Sequence, residues 1–172
     1  MIESTGVDYR ALAMPFFMEN LLQQAGAIKT QGMFFLPNAA DRPLAAVAAR
    51  DVAAAAARLL ADDSWSGQDT VPVISPDALS PDGMAEVMSE VLSEALSDVI
   101  QRPVRFQQVD GETHKAAVLG YGMSEAFAQS LVDMAAAQND GIYDAEQAQA
   151  APAPTGFRVW CEEALRPAVL AA

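Results

Sequence analysis

The feature that most constrains the fold lies near the start of the chain, where a strand pattern runs directly into a helix pattern. Residues 7–13 mix β-branched, aromatic and apolar side chains between Gly6 and Pro15, which predicts a short strand. Pro15 predicts a helix start, because proline at the first helical position loses no needed donor. Gly26 predicts the end of that helix. The apolar face between them consists of Phe17, Met18, Leu21, Leu22 and Ala25.

The alternation of strand and helix patterns continues along the chain and predicts an α/β fold. Further strands are predicted at residues 33–36, 44–48, 70–75 and 104–109. Further helices are predicted at residues 51–60, 80–99, 112–119, 124–138 and from 157 onward. Asp51 is the expected N-cap of the first of these, and Ser80-Pro81-Asp82 is a strong helix start. Residues 142–154 are interpreted as a loop, and no domain boundary is evident.

The composition is that of a globular protein with an acidic surface. Against 10 Lys and Arg stand 23 Asp and Glu, for a net charge of −13 over 172 residues. Such a surface repels phosphate backbones and anionic lipid, so neither nucleic acid nor a membrane is an expected partner. The charge indicates solubility, with binding of a basic protein as the alternative. A single cysteine, Cys161, excludes an internal disulfide and, with no signal peptide, favours a cytoplasmic location.

The common catalytic motifs are missing from the sequence. There is no glycine-rich dinucleotide loop, no phosphate-binding loop and no nucleophile elbow. The only histidine, His114, has no neighbours at metal-ligand spacing, so no metal is expected. Gly120-Tyr121-Gly122 is interpreted as a turn between two helices. Catalytic residues are therefore unknown, and Cys161, within an apolar stripe, is expected to be a buried structural thiol.

One segment does suggest a binding site. Residues 14–20 connect the carboxyl end of the first strand to the following helix, which is where ligands bind in open α/β sheets. The turn would offer free backbone N–H groups to an anion or an amide. On spacing alone, the alternative that its aromatic side chains belong to the core is the more common outcome.

The order of these motifs resembles the NmrA-like family of NAD(P)-binding proteins. The segment from Gly6 to Leu22 is similar to that family's strand–turn–helix, which contains a Phe-Met-Glu-Asn sequence. Ala49-Arg50-Asp51-Val52-Ala53 and the stretch from Gly67 to Ser80 follow in family order, as do Arg102-Pro103-Val104 and the segment from Phe157 to Trp160. The resemblance covers essentially the whole chain.

The resemblance implies the C-terminal half of an atypical short-chain dehydrogenase/reductase, an incomplete Rossmann-like sheet with a mostly helical substrate-side lobe. Residues 1–76 would be the remnant of the sheet and residues 77–172 the lobe, within a single domain. NADP or NAD is the implied cofactor, and a small molecule the implied substrate. Cofactor-binding residues implied by the family motif are Met14, Pro15, Phe16, Phe17 and Asn20. Tyr121 and Met123 fall where family members line the substrate pocket.

Departures from the family pattern qualify the expected function. The glycine-rich loop that binds the pyrophosphate in this family is not in the sequence, and Ala13-Met14 replaces the usual arginine before the turn proline. The intact protein is expected to be a quinone- or azo-reductase-type oxidoreductase, with this chain inactive alone. A non-catalytic NAD(P)-sensing regulator or a partner-binding module is the alternative. The chain is a truncation, a split half or a free-standing module, and self-association or a complementing chain is expected.

Overall fold

Every strand of the structure is paired in parallel with a strand far away in the sequence. The computed structural model describes residues 2–95 and 103–172. In this part of the chain β1 (Tyr9–Ala13) pairs with β5 (Gln68–Pro72), β2 (Phe16–Phe17) with β4 (Ala46–Val47), and β3 (Met33–Leu36) with β6 (Arg105–Gln108). Parallel pairing requires long crossover connections, usually helical. The fold is therefore α/β, as predicted, although the strands form three separate pairs.

Helices make up most of the remaining chain. A 3₁₀ helix, Met18–Gln24, leads directly into α1 (Ala25–Gln31), and a single 3₁₀ turn, Glu3–Thr5, precedes β1. The longer helices are α2 (Ala49–Ala61), α3 (Pro81–Ala95), α4 (Gly111–Gly120) and α5 (Glu125–Asn139). The short α6 (Asp144–Gln149) follows, and the C-terminal helix consists of α7 (Phe157–Trp160), a π-helical segment (Cys161–Leu165) and α8 (Arg166–Ala171).

The main core lies between the 3₁₀ helix, α1, β3, α3 and the C-terminal helix. Its largest fully buried side chains include Phe34, Met88 and Leu165. Phe157 stacks on Trp160 at 5.7 Å between ring centroids. Cys161 is fully buried beside them, and burial raises the pKa of its thiol. The cysteine is thus a structural residue of the core, as its apolar surroundings in the sequence predicted.

A second, smaller cluster lies against the β1–β5 pair. It contains Val47, Ala55 and Val73, with Leu12 and Phe17 packed against them. Ala55 is the alanine of α2 that is buried here, and its small side chain adds little volume between the helix and the strands. The strand β1 itself stays half-exposed.

Three predicted helix boundaries are wrong. The helix predicted to start at Pro15 begins only at Met18, because Phe16 and Phe17 pair with Ala46 and Val47 as a short strand. Tertiary contacts also explain the other two. The helix predicted to end at Gly26 continues to Gln31, because Ile28, two residues further on, is buried in the main core. It ends at Gly32, which has a left-handed φ of 65°. Asp51 does not cap α2. It lies buried in the first turn and accepts hydrogen bonds from the Thr155 backbone N–H (3.0 Å) and hydroxyl (2.9 Å). The cap comes from Glu19, whose carboxylate accepts from Ala49 N at 3.0 Å.

Smaller departures occur in three other segments. The predicted loop 142–154 contains α6, and the strand predicted at 70–75 is displaced to Gln68–Pro72, ending at its proline. Of the strand predicted at 44–48, only Ala46–Val47 pairs. The π-helical segment interrupts a helix that periodicity alone predicts as regular. The predicted continuation of α3 to residue 99 and the Arg102 end signal lie outside the described residues.

Candidate functional site

A cavity of about 800 Å³ opens between the 3₁₀ helix, the β3–β6 pair and the α4–α5 hairpin. Its wall is rich in aromatic and methionine side chains. The large apolar side chains of the wall include Phe16, Phe35, Tyr121, Met123, Phe127, Leu131 and Met134. Across the described residues, no Lys, Arg, Asp or Glu lines it. Such a wall suits a flat, uncharged, aromatic molecule and disfavours a phosphate-bearing one.

The α4–α5 hairpin is built to hold one side of this cavity. Each helix has a side-chain cap, since Asp110 accepts from Thr113 N at 2.7 Å and Ser124 from Phe127 N at 3.2 Å. A Cβ at Gly111 would lie 2.9 Å from Val132, so only glycine allows the two helices to approach this closely. The predicted turn at residues 120–122 is present, with Gly122 at a φ of 80°.

Apolar side chains of the hairpin remain exposed where they face the cavity. Tyr121 is 75% exposed, Met123 49%, Phe127 48% and Met134 40%. Large apolar side chains gathered at one opening are unusual on a solvated surface and indicate an interaction site. The cavity is therefore open to solvent along this rim.

Amide side chains supply most of the polarity of the wall. Gln24 bridges the backbone of Phe35, donating to its carbonyl at 2.9 Å and accepting from its N–H at 2.8 Å. Asn38 and Gln138 are buried and hydrogen-bonded to each other at 3.0 Å. Asn20, by contrast, is exposed at the cavity.

His114 also lines the cavity, from α4. Burial lowers the pKa of its imidazole from the usual value, so the side chain is neutral at pH 7. A neutral imidazole can donate and accept hydrogen bonds but is a poor proton source. Nowhere in the described ranges do three or more His, Cys, Asp or Glu side chains converge as a metal site.

The structure brings four of the seven residues named from the family resemblance into one cavity. Phe16, Asn20, Tyr121 and Met123 line it together, although more than a hundred positions separate the two pairs in sequence. The other three, Met14, Pro15 and Phe17, do not line it.

Those three residues have other surroundings. The Met14 carbonyl accepts a hydrogen bond from the Tyr143 hydroxyl at 3.1 Å. Pro15 is buried, and Phe17 packs in the smaller cluster. A proline directly after β1 also removes one of the N–H groups that a phosphate-binding turn needs. Pro15 therefore offers no backbone N–H to a ligand at this turn.

The Met-Glu-Asn sequence after this turn has a divided role. Met18 is fully buried in the main core. Glu19 joins three segments, because besides capping α2 it accepts from Trp160 Nε1 at 3.1 Å. Only Asn20 faces the cavity. Two residues of the motif thus maintain the fold and one is available to a ligand.

Sequence reasoning missed His114, Asn38 and Gln138 as cavity residues. The helical spacing of Phe127, Leu131 and Met134 was visible as one face of α5, but the pattern did not distinguish a core face from a cavity face. The cavity depends on the β3–β6 pairing, which joins residues about seventy positions apart.

The chain is similar to several reductases of known activity. It is 34% identical to an NAD(P)H azoreductase from Xenophilus azovorans over 133 residues, which are 77% of this chain and 43% of the azoreductase. No family model matches the sequence. The chain thus spans less than half the length of this relative.

Solved structures show the same fold over nearly the whole chain. A nucleoside-diphosphate-sugar epimerase from Staphylococcus aureus superimposes with a TM-score of 0.66 at 18% identity, covering 94% of this chain and 55% of the epimerase. The triphenylmethane reductase of Citrobacter sp. gives 0.63 at 21% identity, with the same coverages. A complex of that reductase with NADP(H) covers 96% of this chain at a TM-score of 0.59. At these identities the likeness establishes the Rossmann-like fold alone.

Proposed function

Because the chain is 34% identical to part of an NAD(P)H azoreductase and has the fold of a triphenylmethane reductase, we propose that it forms the acceptor-binding half of an NAD(P)H-dependent oxidoreductase. The observation that carries this proposal is the uncharged cavity lined by aromatic and methionine side chains. A planar aromatic acceptor such as a quinone or an azo compound matches that wall in shape and polarity.

We assign no cofactor phosphates to this chain. The sequence has no glycine-rich βα turn, the β1 turn contains a proline, and the cavity lining carries no cation. The cofactor named for the relatives, NAD(P)H, would supply the reducing equivalents from a site completed elsewhere. What this chain contributes is an apolar surface that orients the acceptor.

Direct titration of the full chain tests the acceptor site. 1,4-Naphthoquinone and azobenzene are titrated while the intrinsic fluorescence of the protein is followed, with uridine diphosphate glucose as the matched charged control. We expect saturable binding of both aromatic compounds and none of the nucleotide sugar, since a −13 chain with no cavity cation repels phosphate. Binding of the nucleotide sugar in preference to the aromatic compounds would overturn the proposal.

A free strand edge favours the second candidate function, binding of a complementing chain. Within the described residues β1 pairs on one side only, with β5. Parallel strands are normally paired and covered on both sides, so this edge exposes unpaired backbone groups. The Arg10 guanidinium lies 4.6 Å from the Trp65 ring centroid and donates to the carbonyl of Gly67, the residue just before β5, which joins the two strands at their start.

Calorimetric titration with NADPH and then NADH, alongside light scattering, separates the candidates. For the chain alone we expect no cofactor binding, together with dimers or larger species formed through the free edge. Micromolar cofactor binding by a monomer would contradict this, and would support the NAD(P)-sensing alternative if no acceptor were reduced.

A further inference from the structure

The buried amide pair Asn38–Gln138 lies in the wall of an otherwise mostly apolar cavity. Asn38 is 4% exposed and Gln138 7%, and the Asn38 amide donates to Gln138 Oε1 at 3.0 Å. Gln138 Nε2 has no hydrogen-bond partner among the residues that the structure describes. A buried amide N–H without a partner costs about 1–3 kcal/mol, which makes it a feature to be explained.

The position of this amide is fixed from both sides. The Asn38 side chain donates to Gln138 Oε1. The neighbouring Asn139 accepts from Ala39 N at 2.9 Å, so that the end of α5 is joined to the chain just after β3. Turning the Gln138 amide alone would break the bond to Asn38, because two amide nitrogens would then face each other. The group left over is a hydrogen-bond donor.

Gln138 differs in this respect from other amides of the wall. Gln24 uses both its oxygen and its nitrogen on the Phe35 backbone. Gln107 and Asn20 are exposed and can be satisfied by water. Gln138, a residue of the cavity wall, alone among these four combines burial with an amide N–H that has no partner.

We propose that Gln138 Nε2 donates a hydrogen bond to an acceptor atom, such as a carbonyl oxygen, of the aromatic ligand and so determines which aromatic molecules bind. This inference rests on the proposed function, since it takes the cavity to be an aromatic site. A site that buries an unpartnered donor discriminates against ligands lacking the complementary acceptor, because such ligands leave the donor unsatisfied. Quinones are then selected over hydrocarbons of the same ring size.

The test compares two ligands on matched variants of the full chain. 1,4-Naphthoquinone and naphthalene share a ring skeleton and differ in the two carbonyl oxygens. We expect the wild-type chain to prefer the quinone, and Gln138→Met to reduce that preference by about five- to tenfold while leaving naphthalene affinity unchanged. Gln129→Met, on the same helix but outside the cavity lining, is the control and should keep the full preference.

Folding is verified by circular dichroism and thermal unfolding. If Gln138→Met alone fails to fold because Asn38 loses its acceptor, the double variant Asn38→Leu/Gln138→Met removes both partners and carries the same expectation. An equal preference in wild type and the folded variant would overturn the inference while leaving the aromatic site intact. Failure of both ligands to bind the wild-type chain would overturn the proposed function as well.

Discussion

Two helical regions of this molecule carry similar apolar stripes and use them in opposite ways. In α3 and the C-terminal helix the apolar stripe is buried, with Met88 and Leu165 each 0% exposed. In the α4–α5 hairpin the stripe is open, with Phe127 48% and Met134 40% exposed. Helix α3 packs against β6 and the C-terminal helix, whereas the α4–α5 hairpin faces a cavity. An apolar stripe thus identifies a helix without revealing whether protein or ligand covers it.

A matched pair of methionine substitutions would test this comparison most directly. Met88→Ala should lower the free energy of unfolding by about 2–5 kcal/mol, because it leaves a void in a closed core. Met134→Ala, on the open stripe, should cost less than about 1 kcal/mol. Denaturant unfolding of the two variants measures both values. Equal losses would show that the hairpin belongs to the same core.

The hydrogen bonds that hold the chain just before the C-terminal helix should contribute more to stability than those at the end of α5. Asp51→Ala should cost about 1.5–3 kcal/mol, because a buried carboxylate that accepts two hydrogen bonds from Thr155 is removed. Asn139→Ala should cost about 0.5–1.5 kcal/mol, because it removes one bond from a half-buried amide. Thermal unfolding of both variants gives the order, and the reverse order would contradict the contrast between the regions.

The open stripe should matter more for ligand affinity than for stability. Phe127→Ala should raise the dissociation constant of 1,4-naphthoquinone by about tenfold, through loss of an aromatic contact. Val159→Ala removes a comparably exposed apolar side chain outside the cavity lining and should leave the dissociation constant unchanged. Fluorescence titration compares the two. An unchanged affinity in Phe127→Ala would place the ligand elsewhere.

Local signals in the sequence predicted much of the fold. The start of α3 at Pro81 follows from the Ser80 cap, whose hydroxyl accepts from Gly83 N at 3.2 Å. The caps at Asp110 and Ser124 and the turn at Gly122 are equally local, which is why the hairpin was predicted within a residue or two. Where a few neighbouring residues decide the structure, the sequence is sufficient.

The remaining features depend on residues far apart in the chain. Aspartate is a common N-cap residue, but the carboxylate of Asp51 accepts hydrogen bonds from Thr155, and Glu19 caps α2 instead. The cavity is visible only once β3 and β6 are paired and α5 lies across them. For the same reason the family resemblance named Asn20 and Tyr121 without indicating that they share one wall, and it gave no sign of Gln138.

The exclusively parallel pairing of the described strands also has a consequence for how the chain folds. Tyr9 pairs with Gln68 and Met33 with Arg105, so no described strand has its partner in a tight hairpin. The chain must close a long loop before any backbone hydrogen bond can form between two paired strands. The entropy cost of that closure therefore comes before the stabilisation. Folding should therefore begin in the helices and proceed slowly. The strand edges stay open until late, and in that interval the chain is most exposed to aggregation.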